Sequence, residues 1–495
     1  MSVSEELEEQ GILILAAEDC SPELFKKLHR FSQHEERIIL SLIAHGPVLL
    51  RGGRGSGKSA LLKEAHDRIK EKSSTALSVY LSLRNLPLLR SQGKEYERKF
   101  CELLIQYVNL ALKENKRRIT FSAIPAVSDI QQALLKLSRK LNRRIVLFFD
   151  DAAHLGRETS LTEFFDIFRI LSSSSISCKA TIYPGVTKFG IRFDVYNDST
   201  VINIARDENS KFFASFFLEV MEARYPTLLN EKKTSRTFDK TKLATFLGKA
   251  VIGNMRAFIF VCNQLYELQK IGLPELTHCL INMASNYYWP LLEELKPKLG
   301  IYESLIEPSY TLAEKIFQST SKAKSTSIII HRDLMQKLAK PLEILEYAGF
   351  ISRRQASIGM KSGGRGSRFT LNLCNLLEIT PGKRLTSDLF SAWLQDQHEP
   401  AEIHINSRIL DDIQLPELPL DKELSVLELP IESLIKSKAY PYGLTQTKVD
   451  VLKKSHIKTI RELAETSDEQ LRSLSGVGEK SLNRIRNVLG QAIWM

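Results

Sequence analysis

Val48-Leu-Leu-Arg-Gly52-Gly-Arg-Gly-Ser-Gly-Lys58-Ser59-Ala60 is the stretch whose reading decides the fold. The apolar residues after the turn His45-Gly46-Pro47 read as a short buried strand, and Ala60–Lys70 reads as a helix. Between strand and helix the sequence matches G-x-x-x-x-G-K-[ST]. Glycines in such a loop let backbone N–H groups turn inward around phosphate oxygens. The helix N-terminus adds unpaired donors and its positive dipole end. Gly52, Gly55, Ser56, Gly57, Lys58, Ser59 and Ala60 are therefore the candidate nucleotide-binding residues. Lys58 is expected to reach the β/γ-phosphates and Ser59 to ligate Mg²⁺, so ATP and Mg²⁺ are the implied cofactors.

Such a loop needs an acidic strand to hold the metal, and Arg144-Ile-Val-Leu-Phe-Phe-Asp150-Asp151 supplies one. Asp150 emerges at the carboxyl end of a buried strand, where open α/β sheets bind ligands. Asp150 is expected to position Mg²⁺, and Asp151 to orient or deprotonate the attacking water or, alternatively, to cap the next helix. Further apolar runs at Leu77–Leu81, Ala180–Tyr183 and Val201–Ile204 alternate with helical patterns such as Ile130–Leu141 and Leu161–Leu171. That alternation implies an α/β fold with a parallel sheet.

With these motifs in hand, residues 31–262 resemble the AAA+ ATPases, in particular the branch holding the origin-recognition and the signal-transducing (STAND) ATPases. The resemblance implies that the strand after the acidic motif lies beside the phosphate-loop strand and ends in a polar sensor. Here Tyr183 or Thr187 stands in for the usual Asn. It implies that Gly253-Asn-Met-Arg256 starts a lid helix whose arginine reaches the γ-phosphate, which makes Lys58, Asp150, Asp151 and Arg256 the candidate catalytic set. Arg192 and Arg206 lie where a neighbouring subunit's arginine finger would be sought. A second acid that is Asp rather than Glu is closer to the STAND pattern and implies slow, switch-like turnover.

Composition sets the outer limits. The protein has 495 residues, 26% of them charged, and a net charge of +11, ordinary for a soluble protein of three or four domains. No apolar run approaches the ~18 residues needed to span a bilayer. The acidic start, MSVSEELEEQ, is not a secretory signal, and six scattered cysteines show no metal-ligand spacing. A cytoplasmic protein without a membrane partner is expected. Charge is uneven: residues 396–432 carry −8, residues 433–495 carry +5, and residues 1–395 therefore carry +14. Two basic bodies about an acidic strap point to a polyanion such as DNA.

Strand signals stop after Asp207, and residues 209–320 read as helices only. From Ser327 the order is helix, strand, glycine-rich basic hairpin, strand, which resembles a winged helix with Arg353, Arg354, Lys361, Arg365 and Arg368 on its hairpin as candidate DNA contacts. Near the end, Leu474-Ser-Gly476-Val-Gly478-Glu-Lys480-Ser481 matches a helix-hairpin-helix pattern, whose second helix aims N–H groups at a phosphate. Gly476, Gly478, Lys480 and Ser481 are its candidate contacts. Gly443 to Leu489 resembles the C-terminal domain of the bacterial RNA polymerase α subunit, with Thr447 where that domain carries its groove-inserting Arg and Asp450 in place of an Asn. Protein docking is the alternative role for each module. The expected organisation is an ATPase core over 1–207, a helical lid over 208–320, a winged helix over 321–380, an acidic linker over 381–432 and a helix-hairpin-helix domain over 433–495. The expected function is an oligomeric, Mg²⁺-dependent ATPase coupling nucleotide state to DNA and to a partner effector or nucleoprotein assembly. The alternatives are a STAND-like antiphage signalling ATPase that oligomerises and activates a separate effector, and an ATP-binding scaffold.

Overall fold

The computed structural model describes residue 17 and residues 20–84, 88, 91–153, 158–186, 189–190, 192–229, 239–396, 398–419, 424–436 and 443–494. Thr187, one of the two expected sensors, lies outside them.

Two helices, α1 (Pro22–Leu28) and α2 (Gln33–Ile43), lead into the core. The Ser32 hydroxyl and the Glu35 carboxylate close α2 as a reciprocal capping box. The core then alternates β1 (Val48–Arg51), α3 (Lys58–Lys72), β2 (Ala76–Ser82), α4 (Gly93–Glu114), α5 (Val127–Leu141), β3 (Arg144–Ala153), α6 (Glu158–Leu171), β4 (Ile176–Ile182), α7 (Val195–Asp198) and β5 (Thr200–Asn203). All five strands are parallel, in the order β2-β3-β4-β1-β5. Ile145 to Phe149 are fully buried because helices cover both faces. Val48, Leu50, Val146 and Phe148 point to α2 and α3, while Leu49, Ile145, Leu147 and Phe149 point to α4, α5 and α6. The period of two along each strand makes this division. Val127, Ile130, Leu134 and Leu137 form the matching buried stripe of α5.

The helical unit comprises α8 (Phe213–Arg224), α9 (Lys240–Ala250), α10 (Met255–Tyr266), α11 (Leu273–Met283), α12 (Trp289–Leu295) and α13 (Ile306–Lys322). A winged helix follows: β6 (Ser327–His331), α14 (Arg332–Lys337), α15 (Ala339–Ala348), β7 (Ile351–Gly359) and β8 (Arg365–Leu371). At Gly366 a Cβ would stand 2.4 Å from the Ile330 carbonyl oxygen, so only glycine lets β8 lie this close to β6.

Parts of the expected acidic linker are folded. α17 (Ser387–Gln395), like α16 (Leu373–Ile379) ahead of the linker, packs on the helical unit, with the Phe390 ring 4.5 Å from that of Phe246. β9 (Ala401–Ile403) extends the winged-helix sheet, in the order β7-β8-β6-β9, parallel to β6. From Leu424 onward the sequence already belongs to the terminal domain, whose α18 (Gln446–Lys454), α19 (Ile460–Glu465), α20 (Asp468–Ser473) and α21 (Glu479–Trp494) share a separate apolar core. Charge counting missed this because acids at surface positions alternate with inward Trp393, Ile403, Val426 and Leu427. Among the described residues no helix is long and apolar enough to cross a membrane.

Candidate functional site

The loop between β1 and α3 takes its shape from glycines held at positive φ, Gly55 at 77° and Gly57 at 100°. A Cβ on Gly55 would lie 2.6 Å from Cβ of Arg256 and 2.7 Å from Oδ1 of Asn254, so the glycine also admits the lid. Asn254 caps α10 and donates from Nδ2 to the Arg54 carbonyl at 2.6 Å. Lys58 turns back over the loop, donating to the carbonyls of Gly52 at 2.7 Å and Gly53 at 3.0 Å. Its Nζ lies 3.6 Å from the Tyr183 ring centroid. Burial, helped by Arg256 and Arg84, pushes the Lys58 ammonium down to about 7, against the pull of Asp151 and Asp150.

The two acids at the end of β3 divide. Asp150 is buried and accepts from the Tyr80 hydroxyl at 2.5 Å and from Thr181 Oγ1 at 3.0 Å. Asp151, at φ 53°, faces the cleft, pairs with Arg84 Nε at 2.6 Å and accepts from the Tyr183 hydroxyl at 3.3 Å. β4 stands between β3 and β1, so Thr181 and Tyr183 meet the two acids from the adjacent strand.

The cleft above the loop encloses a cavity of about 100 Å³. Gly55, Gly57, Lys58, Ser59 and Ala60 form its floor and Arg256 enters from α10. Leu28, His29, Phe31, Phe216, Val220 and Ile259 make its apolar end. Burial and nearby Arg224 push His29 down to about 3, so its ring, stacked on Phe25 at 4.0 Å, is neutral. Arg54 Nε and Nη1 are buried with no hydrogen-bond partner among the described residues. Orphaned guanidinium donors beside Lys58, Arg84 and Arg256 fit a polyphosphate, and the apolar end fits a base.

Sequence reading missed Arg54, Arg84, Tyr80 and Thr181. The last three stand on or just after strands whose carboxyl ends face the cleft, and that placement was the available signal. Arg206, one of the two arginines singled out, lines this same cleft: it donates to the carbonyls of Ser56 at 3.0 Å and Gly253 at 2.8 Å and pairs with Glu35. Arg192 is exposed.

The five hairpin cations also divide. Lys361 and Arg365 are exposed at the wing tip, where Lys361 pairs with Glu399 and Arg365 Nε donates to Ser357 Oγ at 2.7 Å. Arg353, Arg354 and Arg368 line a second cleft beside Arg37 and Phe212. Arg354 faces inward, its side chain 10% exposed and 2.7 Å from Glu208, and Arg368 is mostly covered and pairs with Asp396 at 3.3 Å. These two expected DNA contacts are thus structural ties in the described state. In the terminal domain, Gly476 at φ 81° turns the hairpin and Gly478 leads into α21, with Lys480 exposed and Ser481 half-buried beside them. Nothing lies within 4 Å of a Cβ built at either glycine, so the hairpin is open to a partner's approach.

No curated protein sequence matches this one. Among solved structures it is similar to Cdc6p of Pyrobaculum aerophilum, at 13% identity over 75% of this protein and 97% of that one, with a TM-score of 0.33. It is also similar to the Aeropyrum pernix ORC1 protein in complex with DNA, at 12% identity over 78% and 95% of the two proteins (TM-score 0.33), and to Drosophila ORC bound to DNA, at 11% over 75% and 90% (TM-score 0.32). Residues 421–491 match the family model of the C-terminal domain of the bacterial RNA polymerase α subunit, a match that begins three residues before the terminal core does at Leu424.

Proposed function

We propose that the protein is an ATP-driven switch on DNA, an AAA+-type ATPase whose nucleotide state sets the seating of its winged helix. The observation that carries this reading is the contact between α15 and the phosphate loop. The Arg54 amide donates to the Tyr347 carbonyl at 3.0 Å, at the end of α15. The Tyr183 ring touches Lys58 on one side and lies 4.9 Å from the Tyr347 ring on another. Lys340 of α15 donates to the Gly185 carbonyl at 2.8 Å. A triphosphate competes with the Gly52 and Gly53 carbonyls and the Tyr183 ring for the Lys58 ammonium. The winged helix rests on that same ring and loop, so its seat feels whether Lys58 is so engaged. A ligand biases two states only through such differential contacts.

In this reading Gly52, Gly55, Ser56, Gly57, Lys58, Ser59 and Ala60 cradle the nucleotide, with Arg54 and Arg256 on the phosphates and neutral His29 against the base. Ser59 and Asp150 would hold Mg²⁺, which supplies charge neutralisation at the β/γ oxygens. Asp151 faces the cleft and orients the attacking water once its pair with Arg84 loosens. Lys361, Arg365, Lys480 and Ser481, with the Gly476 and Gly478 backbone, present donors to DNA phosphates. Homo-oligomers and a separate effector or nucleoprotein partner belong to the same proposal.

ATP hydrolysis measured with and without duplex and single-stranded DNA tests it. Stimulation by DNA that vanishes in Lys58→Ala is the expected result. ATP-dependent oligomers indifferent to DNA would instead indicate a signalling ATPase, and ATP binding without turnover a scaffold.

A further inference from the structure

The ATPase core carries a second strongly basic face, at the end of the sheet opposite the nucleotide cleft. Three segments build it: Arg68-Ile-Lys-Glu-Lys72 at the end of α3, Lys113-Glu-Asn-Lys-Arg-Arg118 at the end of α4, and Ser138-Arg-Lys-Leu-Asn-Arg-Arg144 between α5 and β3. They are neighbours in space. Lys70 pairs with Glu114 at 2.9 Å, joining the first two. The Arg144 amide donates to the Thr75 carbonyl at 3.0 Å, joining the turn after α3 to the turn after α5. α3 begins at the phosphate loop, and its 15 residues place this face on the order of 20 Å from the nucleotide site.

Lys72, Lys116, Arg117, Arg118, Arg139 and Lys140 are exposed and form no ion pair among the described residues. The two acids in the three segments, Glu71 and Glu114, are already taken by Lys26 and Lys70. Compensation of helix dipoles explains only part of this. The ends of α4 and α5 are closed by backbone bonds, Arg117 N–H to the Leu112 carbonyl at 2.9 Å and Arg143 N–H to the Ser138 carbonyl at 3.1 Å. Lys116, Arg117 and Arg118 lie beyond the helix altogether. The segments expose no large apolar residue, Ile69 being buried and Leu141 partly so. A protein interface would need such anchors at its centre. Long cationic side chains without apolar anchors suit phosphodiester oxygens at an irregular spacing.

We propose that this base of the core is a further docking surface for the phosphate backbone of nucleic acid, gripped without regard to base sequence. The proposal rests on the nucleic-acid reading above and adds a contact face built by the core itself, at the far end of α3 from the phosphate loop.

The test is the salt dependence of binding of the full-length protein to a labelled duplex, for the native form and for Arg117→Gln/Arg118→Gln/Lys140→Gln. The slope of log K against log salt is expected to fall by about 2 to 3 in the triple variant, and low-salt affinity by at least about tenfold. ATP binding is expected to stay unchanged, and the charge-preserving Arg117→Lys/Arg118→Lys pair to keep the native slope. If the triple variant melts early, Arg118→Glu alone is expected to lower the slope by about 1. A native slope in these charge-removing variants would overturn the surface while leaving the switch reading intact. So would loss of binding to polyglutamate with the DNA slope retained, which would mark an acidic protein as the partner. A native protein that binds no DNA in any nucleotide state would overturn both.

Discussion

The winged helix and the terminal domain are both small basic modules after the lid, yet they are attached in opposite ways. The winged helix shares one continuous apolar core with the parallel-sheet unit and the helical unit, from Leu49 through Phe350 to Ile403. It is also pinned by a covered ion pair, Arg354 with Glu208, whose carboxylate accepts from Thr370 Oγ1 at 2.6 Å. The terminal domain has its own core and meets the rest through lighter contacts, such as Ser425 Oγ to Glu303 at 2.7 Å and Gly490 beside Arg84. A module fused to the core reports the core's state; a module with its own core acts as a tethered hand.

Glu208→Ala gives the largest expected break in this contrast. It strands the Arg354 guanidinium, and removal of one partner from a buried pair costs about 3–5 kcal/mol. Denaturant melts should show that loss in the main transition and none in the terminal domain. The effect should shrink in acid. Burial works against the Glu208 carboxylate, yet Arg354 and Thr370 hold its pKa below the ordinary value. Its contribution is therefore present above the usual carboxylate range and fades as pH falls through it. Neutralising Lys361 and Arg365 at the wing tip should lower the salt slope of DNA binding by about 2 without moving the melt. Arg354→Gln should move the melt and leave the slope.

Two finer predictions sharpen the contrast. Burial holds Lys58 near 7 in the free site, and the negative charge of a triphosphate would raise it. ATP binding at pH 8 should therefore take up about one proton and weaken as pH rises above 7. Calorimetry in buffers of different ionisation heat measures the uptake, and deletion of the terminal domain should not alter it. At the terminal domain's surface, Arg461→Ala breaks an exposed pair with Glu428 and should cost less than about 1 kcal/mol.

Much of the core was legible locally. The phosphate-loop glycines, the apolar run Ile145–Phe149 and the i, i+3, i+4 stripe of α5 each encode their element within a few residues. What was not legible depends on partners far along the sequence. Arg84 meets Asp151 across 67 positions, and Arg206 meets Glu35 across 171. Arg354 meets Glu208 across 146 positions, at an irregularity in β7 that its basic neighbours do not announce. Net charge hid α17 and β9, because it counts the acids that face water and ignores the apolar residues between them.

The central claim is that the nucleotide at Lys58 sets the seat of the winged helix through Tyr183 and Tyr347. The most direct measurement is the distance between a probe at the wing tip, at Arg365, and one on the core, at Lys136, during titration with ATP and Mg²⁺. The account predicts a saturable change in the native protein, absent in Lys58→Ala and diminished in Tyr347→Ala. Full nucleotide binding with the distance unchanged would contradict it.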